Sequence, residues 1–110
     1  MNRPDRVQMI NGKVPYRYSD WQTHGIVAAL VMQYIRQKLF EERKHWTCAT
    51  IQEMTDYLNK LDMPTIRITY AKVRNATNKL IDLGVLKDGN YNRNTYDRSK
   101  WYSFTNNDDL

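Results

Sequence analysis

A single cysteine, Cys48, stands among the 110 residues, so no disulfide can form within the chain and packing is the ordinary role for its thiol. No apolar run approaches eighteen residues, and the opening "MNRPDRVQMI" lacks the apolar stretch of a signal peptide. A soluble, intracellular protein with no membrane partner is therefore expected. Glycine is scarce, four in all, and none of the four builds a phosphate loop. The two histidines, His24 and His45, have no partner at metal-ligand spacing. Ser19, Ser99 and Ser103 lack the context of a nucleophile elbow, and Glu41 and Glu42, being adjacent, point to different sides of a helix. These absences speak against an enzyme, a metal site or a cofactor.

Acids are also scarce in one place. Residues 60 to 100 carry nine Lys or Arg against four Asp, which accounts for the whole net charge of +5. That location suggests one basic face in the last third of the chain, and charge alone reads equally as a well-solvated surface. A hydrophobic content of 41% is near the globular norm, and the length suits one domain with one modest core.

The pattern of elements is readable. Asn11-Gly12 lies between short mixed runs, a hairpin signal, although residues 1–18 read equally as a basic arm. Pro15 confines any second strand there to an edge. Ser19 and Gln22 stand at capping-box spacing, and Asp20 suits the positive end of a helix dipole. From Trp21, the positions Val27, Leu30, Val31 and Tyr34 recur at helical spacing, widened by Ala28, Met32, Ile35 and Leu39. One long helix to about Phe40 is expected, with a face broad enough for a core or a homodimer seam.

"HWTCA" (45–49) reads as a short strand, and Thr50 with Glu53 as a second capping box. The helix it opens should turn Ile51, Met54, Tyr57, Leu58 and Leu61 inward and stop by Asp62-Met63-Pro64. Thr69 caps a third helix whose inner stripe is Val73, Ala76, Thr77, Leu80 and Leu83, stopped at Gly84. Val85-Leu86-Lys87 starts a strand, and Lys100 to Phe104 is its return. Val73, Leu80, Ile35, Val31, Trp46, Leu86 and either Trp101 or Tyr102 are expected to pack together.

That order is the layout of a winged helix-turn-helix: mainly α, three helices and a C-terminal two-stranded hairpin wing, over residues 19–105, with 106–110 a disordered tail. In such folds the second helix of the pair enters the major groove of DNA. Its exposed face here offers Thr69, Tyr70, Lys72, Arg74, Asn75, Asn78 and Lys79. Arg and Asn make planar two-point hydrogen bonds with guanine and adenine, so Arg74 and Asn75 are the expected readers, with Lys72 and Lys79 on phosphates. The stretch "GNYNRNTYDRSKWYSF" (89–104) supplies the wing, with Arg93, Arg98 and Lys100 as its cations and Asn-rich turns at its tip.

"RKHWTCATIQEM" followed by "LIDLGVLKDGNYNRNTYDRSKWYSF" resembles the N-terminal winged-helix domain of phage and prophage replication proteins of the replisome-organiser, primosome-like type. The similarity rests on Trp46, Thr50, Leu80, Gly84, Val85, Leu86, Gly89 to Asn92 and Asp97 to Tyr102, over roughly residues 43 to 104. The turn "NKLDMPTIRIT" (59–69) is longer and less aromatic than the family's. The resemblance implies a module that binds double-stranded DNA in the cytoplasm of a bacterial host, in replication or transcription control. A protein partner from the replication or host machinery is open alongside it. The alternative is a protein-binding winged helix that docks on a host or phage protein and modulates it.

Overall fold

The computed structural model describes residues 7–10, 14–61, 67–89 and 100–106, with side chains from Tyr16 onward. Two strands, β1 (Val7–Ile10) and β2 (Val14–Arg17), pair antiparallel with Val7 opposite Arg17 and Ile10 opposite Val14. The hairpin reading of the N-terminal residues is thus the one the fold adopts.

The long first helix is instead two. Helix α1 (Tyr18–His24) closes on Gly25, and α2 (Ile26–Glu42) starts again immediately. Gly25 holds φ at 88°, a left-handed value that side chains rarely adopt, so the chain can fold back there. The reason for the break lies in Asp20 and Arg36. In one continuous helix these residues would be about 24 Å apart at 1.5 Å per residue. Folded back, Arg36 Nη1 donates to Asp20 Oδ2 at 2.6 Å, and both side chains are buried. Asp20 lies in the first turn of α1, where its carboxylate suits the helix dipole as expected, and it also makes the core contact between α1 and α2. The Ser19 capping box does not form, because α1 already begins at Tyr18 with Arg17 in the N-cap position, where no side-chain capping bond is made.

Helix α2 is the central element, with Ala28, Leu30, Val31, Met32, Ile35 and Leu39 all buried. It packs on α1 and β2 and, further along the chain, on β3 (Thr47–Ala49) and α4 (Tyr70–Asp82), and touches α3 (Ile51–Asn59). Its last turn ends in a Schellman motif: Lys44 N donates to Leu39 O at 3.2 Å and Arg43 N to Phe40 O at 3.3 Å. Arg43 occupies the left-handed position usually given to Gly, at φ 52°.

Strand β3 (Thr47–Ala49) leads into α3 (Ile51–Asn59), whose N-cap Thr50 accepts from Glu53 N at 3.0 Å. Met54 and Leu58 go to the core and Ile51 is half-buried, but Tyr57 stays on the surface, tilted against Tyr34 at 4.9 Å between ring centroids. The expected stop at Asp62-Met63-Pro64 lies outside the described residues.

Helix α4 (Tyr70–Asp82) buries Val73, Thr77 and Leu80 fully. Leu83 does not join them and is 58% exposed. The helix closes just after it: Val85 N donates to Leu80 O at 2.9 Å and Gly84 N to Ile81 O at 3.0 Å, with Gly84 at φ 76°. This second Schellman motif follows Leu83, which itself still donates to Lys79 O at 2.9 Å, and delivers the chain to the next strand.

Strands β4 (Leu86–Gly89) and β5 (Lys100–Phe104) are antiparallel, and β3 adds to the other side of β5, giving a three-stranded sheet of order β3-β5-β4. The C-terminal hairpin is thus part of a larger sheet than expected, and the helices number four rather than three among the described residues. Thr47 and Asp88 flank Tyr102, and Leu86 faces Phe104. Residues paired across strands share a face, so Thr47, Ala49, Leu86, Tyr102 and Phe104 form one inward surface, and all five are buried. Of the two candidates on β5, Tyr102 is the core member. Trp101 and Trp46 are only half-buried, and the ammonium of Lys87 lies 5.5 Å from the Trp46 ring. The fold is a mixed α+β domain.

Candidate nucleic-acid interface

The start of α4 is fixed by its cap. Thr69 Oγ1 accepts from Lys72 N at 3.2 Å, and Lys72 Nζ reaches back to Arg67 O at 2.9 Å. The second bond pins the chain entering the helix and occupies one of the cations expected to hold phosphate. At the other face, Thr77 Oγ1 donates to Val73 O at 2.8 Å, which satisfies a hydroxyl that is fully buried.

With Val73, Thr77 and Leu80 facing the core, the remaining positions divide into two stripes. Successive residues of a helix are separated by about 100°. Tyr70, Arg74 and Asn78, spaced by four, make one stripe, while Lys72, Asn75 and Lys79 make the other. All six are exposed. The first stripe borders a concavity, a groove of about 440 Å³ lined by Tyr70, Arg74 and Asn78 on α4, by Thr50, Ile51 and Gln52 at the start of α3, and by Lys100 and Tyr102 on β5.

Sheet register explains Lys100. It is paired with Ala49 and shares the inward face with Tyr102, but sits at the end of the strand where the core runs out. Its side chain is 54% exposed and lies 3.6 Å from Asp88 Oδ2, a diagonal pair in water. Tyr102 beneath it is pushed up to about 12 by burial and, next, by the Asp88 carboxylate. A neutral phenol therefore lines the groove at any physiological pH.

The expected site residues thus fall into three sets. Tyr70, Arg74, Asn78 and Lys100 are brought together in the groove. Lys72, Asn75 and Lys79 share the outer stripe of α4, with Thr69 serving as the cap. Arg93 and Arg98, with the rest of the hairpin tip, lie outside the described residues. The sequence reading missed Thr50 and Gln52 as neighbours of α4. Thr50 was legible as a cap, but nothing in its local pattern placed it beside Arg74.

Among the described residues no group of His, Cys, Asp and Glu is arranged to hold a metal ion, and no helix is long and apolar enough to cross a membrane. His45 is exposed and His24 half-buried. Neither a protein-family model, nor a curated protein, nor a solved structure matches this chain.

Proposed function

We propose that this is a winged helix-turn-helix protein that binds double-stranded DNA, of the kind found in phages and mobile elements, acting in replication or transcription control. The observation that carries the reading is the exposed surface of α4. It holds Lys72, Arg74, Asn75, Asn78 and Lys79, and its one acid, Asp82, comes at its last residue. A helix with side chains is about 10–12 Å across and the major groove about 12 Å wide, so such a surface fits. The element order supports it too. Helices α3 and α4 pack against each other, the second begins at a defined cap, and a β4–β5 hairpin follows beside it. In this reading the segment between β4 and β5, with Arg93 and Arg98, is the wing along the duplex.

The test is binding to random and selected duplexes by fluorescence anisotropy across a salt series. Affinity should fall steeply as salt rises, because phosphate contacts release counterions. Asn75→Ala should lower preference for the selected site by about 1–3 kcal/mol while sparing random DNA, and Lys79→Ala should weaken all duplexes alike. Absence of salt-dependent duplex binding would refute the reading. One observation favours a second one: Phe40 is 83% exposed at the end of α2, an aromatic suited to anchoring a protein partner. Under that alternative the chain docks on a host or phage protein with weak salt dependence.

A further inference from the structure

Arg74 and Asn75 are neighbours in sequence, yet only Arg74 faces the groove. We infer that the groove between α4, the first turn of α3 and β5 is a phosphate clamp, in which Arg74 and Lys100 together hold one phosphate of a polynucleotide backbone. This rests on the DNA-binding reading and revises the role of Arg74 within it: Arg74 positions the duplex and does not read it.

Three features support the assignment. First, the two cations come from different elements, α4 and β5, and converge on one concavity of about 440 Å³, room for a sugar-phosphate unit rather than an ion alone. Second, the other polar side chains around it are the hydroxyls of Tyr70, Tyr102 and Thr50, the last occupied as the α3 cap, and the amides of Gln52 and Asn78. These are the side-chain types that donate to backbone phosphates, and the Arg fork matches two phosphate oxygens at once. The first turn of α3 adds the positive end of its dipole to the same wall. Third, the acids nearby are peripheral. Asp88 faces Lys100 at 3.6 Å on the exposed edge, and Asp56 accepts from Gln52 at 2.8 Å in water. Exposed pairs of this kind contribute little and yield to a phosphate.

A shared phosphate makes a quantitative claim. Each neutralised phosphate adds about 0.9 to the log–log salt slope. Two cations on two phosphates would add about twice that, whereas two cations on one phosphate add it once. The Arg74→Gln, Lys100→Gln double variant should therefore lose about 0.9 from the slope. It should bind random duplex about ten- to a hundred-fold more weakly, keep its ratio of selected to random affinity, and melt like the parent. In parallel, the unliganded protein is titrated with inorganic phosphate at constant ionic strength, set by chloride, and followed by nitrogen–proton correlation NMR. The Arg74 side-chain N–H and the Asn78 and Gln52 amides should shift, and the double variant should show no such response.

The outcomes separate the two claims. Salt-dependent duplex binding with an unchanged slope in the double variant and no phosphate response overturns the clamp and leaves the DNA reading standing. A phosphate response at these residues in a protein that binds no duplex overturns the backbone phosphate as occupant and points to a free phosphorylated ligand. A changed ratio of selected to random affinity overturns the positioning role and restores Arg74 as a reader.

Discussion

Replacing Asp20 by Ala tests whether the turn at Gly25 is held by the charge pair beneath it. Side-chain exposure is 6% for Arg36 and 9% for Asp20, and their atoms meet at 2.6 Å. Removing the carboxylate leaves a guanidinium that is permanently charged inside the core. Losing one partner of a buried pair costs about 3–5 kcal/mol, far above the value for surface pairs. Arg36 keeps a long contact to Gln33 Oε1 at 3.4 Å and lies 5.2 Å from the Phe104 ring centroid, so the lower end of that range is expected. Urea unfolding followed by far-ultraviolet circular dichroism gives the loss directly. The companion variant Asp20→Leu, Arg36→Met removes both charges and keeps apolar volume. It should recover most of the stability, because the desolvation of both ions disappears with their attraction. A loss under about 1 kcal/mol in Asp20→Ala would refute the argument, as would a double variant no more stable than the single.

Leu80 is fully buried between α4 and the core, and Leu80→Ala should cost about 2–5 kcal/mol in the same assay. Arg43→Gly should raise stability by about 0.5–1 kcal/mol, since Arg43 sits at φ 52° in a Schellman position that Gly adopts without strain; a loss of stability would show that the Arg side chain holds contacts worth more than the strain. Tyr102 is raised from an ordinary value near 10 to about 12. Its neutral form is therefore favoured by folding, so its contribution is complete below pH 10 and is lost as pH rises through 12. Phenolate absorbance should show Tyr102 ionising last or together with alkaline unfolding, and Tyr102→Phe should extend the fold to higher pH.

Local signals were legible wherever the physics is local. Thr50 and Thr69 were readable as caps because a hydroxyl followed by a free backbone N–H three residues on needs no distant partner, and both bonds form. Gly84 was readable as a stop because glycine takes the positive φ of such a helix end without strain. The inward stripe of α4, Val73, Thr77 and Leu80, followed from helical periodicity alone. Leu83, the C-cap, keeps the helical geometry and is exposed all the same, because periodicity does not say how far along a helix the core extends.

Contacts between elements decided the rest. The hydrophobic run from Trp21 to Leu39 reads as one helix, and Gly25 by itself is a weak breaker. Its role as a turn depends on Asp20 meeting Arg36, sixteen positions away. Trp46 and Trp101 look like core by composition, yet the register of β3 with β5 puts Tyr102 on the inward face and leaves both tryptophans half-buried. The candidate site divides in the same way. The identities of Arg74, Asn75, Asn78 and Lys79 and their place on an exposed helix face were set by the sequence. That Arg74 and Asn78 border a groove with Lys100 and Thr50, while Asn75 and Lys79 face away from it, was decided by how α3, α4 and β5 pack. Helical spacing orders residues around one axis, but only tertiary packing says which side of that axis meets another element.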